Sequence, residues 1–265
     1  GGYVEIGYGS EVPVQGDNSY GLYSQSQYYD PTIQTGETRL TAGNGISVTT
    51  YGEYSYAVMA NNALPTGQDG PVAVVTLGTN SNIITSGDTS FAMFAYGRNA
   101  LVEAGEGWSV QTTGNGSVGL YAARRDLDPD PGKGARIIVG GGQVTTAGDD
   151  AYGLMALGLE SVIEVLGSLA VKTQGEDALG VAANDKGQVK LTGGQITTTG
   201  DRAIGVYAEH QLADGDTGID LGNNMEVFTN GDAAHGLWAE GNLSSILAGN
   251  GLLVKTTGDQ TFGLA

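Results

Sequence analysis

Residues 144–156 read VTTAGDDAYGLMA, residues 196–208 read ITTTGDRAIGVYA, and residues 227–239 read VFTNGDAAHGLWA. The phrase opens on a β-branched residue, turns at Gly-Asp, and resumes with a small residue followed by an aliphatic one. Aligned on the turn glycine it occurs nine times, at Gly16, Gly52, Gly87, Gly114, Gly148, Gly175, Gly200, Gly231 and Gly258. Four residues before that glycine stands Val or Ile in every copy, from Val12 to Val254. Two before it stands Val14 in the first copy and Thr in the other eight. Five after it comes Gly or Ala, and six after it an aliphatic residue or Met, from Leu22 to Leu264. The period within each half is two, so both halves read as strands with alternate residues inward. A third short strand ending in Gly lies upstream, as in VEIG (4–7), VEAG (102–105), IDLG (219–222) and ILAG (246–249).

One unit is therefore strand, turn, strand, turn, strand. Units recur every 25 residues (Gly175 to Gly200) to 36 residues (Gly16 to Gly52), with no helical segment between. The pattern predicts an all-β fold, a parallel β-helix of three-stranded coils with about nine repeats stacked roughly 4.8 Å apart. In this reading Val144 and Leu154 point into the core. Gly148 turns the corner with positive φ, and Asp149 bonds the backbone of its own turn. The array is read as a single β-helical domain, 1–265. It breaks off mid-phrase at TFGLA, which reads as a fragment of a longer chain, because a stable array covers its last open edge.

Composition narrows the function. Glycine supplies 46 of the 265 residues, more than twice the usual share of about 7%, without the period of collagen. The formal net charge is −18, and the 11 Lys and Arg form no basic stripe. This argues against nucleic acid as a partner and against docking on anionic lipid. No apolar run approaches the roughly 18 residues that span a bilayer, so no direct membrane insertion is expected. The start, GGYVEIGYGS, has no signal-peptide pattern. The absence of Cys removes disulfides, thiolate nucleophiles and Cys-based zinc sites together.

Two surfaces are candidates for binding. The extra length falls largely just after the second half of the phrase, at 24–38, 60–71, 122–135 and 208–218. Insertions at one point of a coil emerge along one edge of the rod, and loops carry function more often than scaffolds do. Tyr28, Tyr29, Arg124, Arg125, Asp126 and Asp128 lie in these loops. The second candidate is the column seven past the glycine, which includes Tyr23, Phe94, Tyr121, Tyr207 and Trp238. Its parity opposes the aliphatic column, so these side chains should point outward, on a surface kept flat by neighbouring Gly and Ala. An outward apolar stripe marks an interface, suited to stacking on sugar rings or packing against another rod.

Catalytic readings find little. His210 and His235 lie in different copies and different columns, and His235 takes a Tyr or Phe position. There is no nucleophile elbow, and the post-glycine acids are turn residues. No cofactor is expected. Asp126, Asp128 and Asp130 alternate in DLDPDPG and offer carboxylates to calcium, but the two prolines suit an exposed turn equally. The outward neighbours of the Thr column (Thr49, Ile84, Gln111, Thr145, Lys172) are too irregular for an ice-binding face.

The phrase [VI]-x-T-x-G-[DE]-x-[AS]-x-G-[LV]-x-A, carried also as VKTQGEDALGVAA (171–183), resembles the repeats in passenger domains of Gram-negative type V autotransporters. The resemblance covers nearly the whole chain, with looser copies at Met59 and Phe94. It implies a right-handed β-helix, secreted through a C-terminal outer-membrane barrel and displayed on the cell. It also implies a non-enzymatic adhesin rod acting in cell adhesion or biofilm. The expected partners are a host surface protein or glycan, or an identical passenger on a neighbouring cell. The rival readings are a β-helical polysaccharide lyase or glycosidase, and a passive spacer stalk.

Overall fold

The computed structural model describes residues 2–26, 37–62, 72–124, 134–211 and 215–265. Val, Ile and Thr at alternate positions favour a pleated backbone buried on one face, and a Gly-Asp pair ends each such segment before it can lengthen. The chain therefore forms short strands, of which the fifth coil is representative: Arg136–Val139, Gly142–Ala147 and Tyr152–Leu157. First, second and third strands of successive coils pair only with their counterparts, giving three nine-stranded sheets. We name them A, B and C in that order. All pairing is parallel, so the architecture is a parallel β-helix of nine three-stranded coils. Eight steps of about 4.8 Å make a rod roughly 40 Å long.

The register is that of the sequence phrase. Val110, Val144, Val171 and Ile196 pair in one unbroken column of sheet B, each no more than 2% exposed. Leu120, Leu154, Val181 and Val206 form the facing column of sheet C, fully buried. With the inward aliphatics of sheet A, such as Ile137 and Ile163, they make one core running the length of the rod. Each such side chain contributes about 1.5–3 kcal/mol by burial. The Thr column also faces inward, as its parity requires. The Oγ1 atoms of Thr50, Thr85, Thr112, Thr146, Thr173, Thr198 and Thr229 are buried without a hydrogen-bond partner.

Three local expectations need correction. Gly148 does not take a positive φ; the left-handed residue is the one two places later, Asp150 at 55°. The residue two past the glycine takes the same angle in every other coil, with Asn18, Tyr54, Thr89, Gly116, Asp177, Arg202, Ala233 and Gln260 at φ 53–60°, while the turn glycines Gly16, Gly52, Gly175, Gly200, Gly231 and Gly258 do take the expected positive φ. Glycine is needed at 148 because coils meet backbone to backbone there: a Cβ would lie 2.3 Å from the Gly114 carbonyl oxygen. Asp149 does not bond its own turn. Its Oδ1 accepts the Glu176 N–H of the next coil at 2.9 Å. The small residue five past the glycine does not flatten the outer surface either, because it points inward. A Cβ at Gly119 would lie 2.5 Å from Val144 Cγ1, and one at Gly153 2.5 Å from Val171 Cγ1. Strict alternation thus fails at the start of each sheet C strand, where two consecutive residues face the core.

Candidate functional site

The outer face of sheet C is built from two aromatic-rich columns. One is the column seven past the turn glycine, with the register Tyr23–Met59–Phe94–Tyr121–Met155. The other, four past the glycine, runs Tyr20–Tyr56–Phe91–Val118–Tyr152 in the same coils. The sequence pattern points directly only to the first. The signal for the second is present at His235, which takes a Tyr or Phe position, and extends along the chain only when the same offset is followed through every copy.

The parity expectation holds. Met59, Phe94 and Ala123 form a cluster separate from the main core, with Tyr23, Tyr56, Phe91, Tyr96, Tyr121 and Leu157 packed on it. The rings lie against one another. Tyr20 stacks on Tyr23 with centroids 4.6 Å apart, Phe94 stacks on Tyr121 at 5.0 Å and 7°, and Phe91 meets both Phe94 and Tyr121 edge-on at 5.1 Å. Such pairs add about 0.5–1.5 kcal/mol each beyond area. Tyr23, Phe94 and Tyr121 are thus brought together in coils 1–4. Tyr207 and Trp238 belong to a second group in coils 7–9. There Trp238 lies edge-on to His235 at 4.7 Å, and His235 Nδ1 accepts the Phe262 N–H at 3.2 Å. Tyr207 donates its hydroxyl to Glu240 Oε2 at 3.2 Å.

Mutual packing leaves these groups part-buried, and the titratable ones respond. Burial pushes the Tyr121 hydroxyl up to about 12, and raises Tyr23, Tyr56 and Tyr152 as well. Tyr207 is raised by burial and then by Glu209 and Glu240. Burial lowers His235, because an imidazolium there would lose water.

Charge is arranged around the strip rather than on it. Neither column carries an Asp, Glu, Lys or Arg in any of its nine coils. The corner between sheets B and C is the opposite. Asp or Glu follows the turn glycine in eight coils and takes the next place as well in two of them, against Arg202 alone. Oδ1 atoms of Asp17, Asp88, Asn115, Asp149, Asp201 and Asp232 each accept a backbone N–H of the following coil at 2.8–3.0 Å. Arg202 pairs with Asp177 and Glu176 across one coil step.

The loop edge is the junction between sheets C and A. Strand ends Ser26 and Asn62 pair directly, Arg124 directly follows the strand that ends at Ala123 in coil 4, and His210 ends the strand of coil 7 on the same edge. The four insertions therefore leave the rod along one line. Tyr28, Tyr29, Arg125, Asp126, Asp128 and Asp130 lie outside the described residues. Arg124 is described and is buried at 3% exposure, so its guanidinium is not presented on the surface. His210 is buried beside Thr217, with Nδ1 3.0 Å from the hydroxyl oxygen. The two histidines do not meet. Among the described residues, no three His, Asp or Glu side chains gather as a metal ion would require, and no helix is long and apolar enough to cross a membrane.

This geometry defines a parallel β-helix with an apolar outer strip. No protein-family profile matches the chain, and no curated protein matches it. Among solved structures it is similar to "The cryo-EM structure of the Vag8-C1 inhibitor complex". The likeness has a TM-score of 0.53 and 20% identity, and covers 100% of this chain and 65% of that one. Vag8 is a Bordetella autotransporter, and the fold of this chain matches that of its passenger. The chain spans 65% of the length of the chain it matches.

Proposed function

We propose that this chain is the rod of an exported, surface-displayed autotransporter passenger that binds a protein partner without catalysis, through the outer face of sheet C. The carrying observation is the strip itself: two adjacent columns free of Asp, Glu, Lys and Arg along a rod of net charge −18. An outward apolar strip on an otherwise charged surface is what an interface requires. The partner is a host surface protein or a second copy of the rod. Ring packing favours protein over glycan. Sugars stack on open aromatic faces, whereas the faces of Phe94 and Tyr121 are occupied by each other. The fold likeness agrees with export and display, and Vag8 itself stands in a complex with another protein, C1 inhibitor.

The test measures binding of the labelled chain to host-cell surface proteins, to a glycan array and to itself, beside a variant carrying Tyr56→Ser and Phe91→Ser. Protein binding lost in the variant, with its circular dichroism intact, is the expected result. Release of reducing ends from any glycan would overturn the non-enzymatic reading in favour of a lyase or glycosidase. No binding to anything would leave only a spacer stalk.

A further inference from the structure

Four Asn-Gly bonds occur in the chain, at 44–45, 115–116, 230–231 and 250–251. A glycine nitrogen carries no side chain to obstruct its approach to the preceding asparagine Cγ. In the reaction this allows, the N–Cγ bond forms, the Cγ–Nδ2 bond breaks, and ammonia leaves with the glycine amide proton. The succinimide ring then takes up water and opens to aspartate or to isoaspartate, whose main chain is longer by a methylene. Only water is consumed. We propose that Asn115–Gly116 is a self-modification site gated by the stacking of coil 5 on coil 4. Stacked coils keep the two reacting groups engaged elsewhere; a lifted coil lets them react, and the isoaspartate product prevents restacking.

The gate is a pair of bonds to one residue. The Asp149 N–H of coil 5 donates to Asn115 Oδ1 at 3.0 Å, and the Gly116 N–H donates to the Asp149 carbonyl at 2.8 Å. Attack needs the Gly116 nitrogen freed of its proton and the carboxamide free to turn, so both bonds break first, and that is a local opening of coil 5. The same clamp recurs at Asn44, where the Thr79 N–H donates to Oδ1 at 2.9 Å and the Gly45 N–H donates to the Thr79 carbonyl at 2.8 Å. At Asn230 the Thr257 hydroxyl donates to Oδ1 at 3.1 Å, and the Thr257 carbonyl accepts the Gly231 N–H at 3.0 Å. Asn250 differs. Its own N–H donates to Asn223 Oδ1 at 2.9 Å, but nothing among the described residues bonds its carboxamide or the Gly251 N–H.

The two products have different consequences. Aspartate keeps an Oδ1 for the Asp149 N–H and extends the Asp column of the B–C corner. Isoaspartate lengthens the main chain beside Gly114, where coils meet with no room to spare. A Cβ on Gly114 would lie 2.0 Å from the Gly87 carbonyl oxygen, and one on Gly148 would lie 2.3 Å from that of Gly114. A longer main chain cannot follow that contact, so coil 5 does not close again. An opening in the middle of the rod that outlasts cyclisation is thereby made permanent.

The test holds the whole chain at mildly alkaline pH, folded and in concentrated urea, and follows every Asn-Gly bond by peptide mass spectrometry. In the folded chain Asn44, Asn115 and Asn230 should convert at least about tenfold more slowly than in urea, and Asn250 at nearly its urea rate. Equal folded and unfolded rates at Asn115, or an Asn250 as slow as the other three, would overturn the clamp. Leu154→Ala loosens coil 5 and, with its circular dichroism intact, should speed Asn115 while leaving Asn44 unchanged. No acceleration, or an equal one at both, would overturn gating by coil 5. Chains returned from urea are then separated into refolded and unrefolded fractions. Isoaspartate at position 115 should collect in the unrefolded fraction and aspartate there in both; isoaspartate equally abundant among refolded chains would overturn the block on restacking.

Discussion

Thr89 is a β-branched residue held at φ 53°, in the left-handed region where L side chains crowd the following carbonyl. The fourth coil places Gly116 at the same point without that crowding. Thr89→Gly should therefore raise stability by about 1 kcal/mol, after allowing for the greater freedom of glycine in the unfolded chain; urea unfolding measures it. Leu154 gives the opposite case. It is fully buried in the sheet C column, and Leu154→Asp leaves an unpaired carboxylate there, at a cost of about 4 kcal/mol or more. An unchanged melting temperature would refute its inward placement. Both positions show what a sequence conveys. Leu154 is legible because hydrophobicity and period agree. The strain at position 89 is not, because Asn18, Thr89, Arg202 and Ala233 share a backbone angle and no side-chain chemistry.

At the scale of the strand and its turn, the Asp column acts between coils rather than within one. The Asp carboxylate reaches the next amide; a Glu in its place does not. Glu53 makes no such bond to Asp88, and Glu176 turns to Arg202 instead. Glu53→Asp should extend the ladder by one step and add about 0.5–1.5 kcal/mol, read as a shift in the denaturation midpoint with unchanged slope. The three strands, their order and the turn position all follow from the repeated phrase, since each coil states the same pattern again. The second aromatic column is harder to read, because Val118, Leu179 and Ile204 interrupt it with residues that look like core. The loop residues expected to bind offer no repeat to align, so nothing but exposure argues for them. Arg124 proves buried.

For the whole molecule, ionisation of the strip ties stability to pH. Tyr121 is raised to about 12 by burial, against an ordinary value near 10. The unfolded chain then releases this proton first as pH rises. The stabilisation is fully present below about pH 10 and is lost between about pH 10 and 12, on the order of 2–3 kcal/mol. Tyr121→Phe should flatten this alkaline decline in denaturant titrations, with little change at pH 8. His235 acts at the other end. Its value is lowered, so its contribution is present above about pH 6.5 and falls away on acidification, when Nδ1 can no longer accept the Phe262 N–H. Each strand pairs only with its counterparts in the windings directly above and below it. Tension applied along the axis therefore finds no distant tie to resist it: the thread unreels turn by turn from the pulled end. Each turn of 25–36 residues yields about 80–120 Å of slack, and the windings not yet reached keep their shape under load.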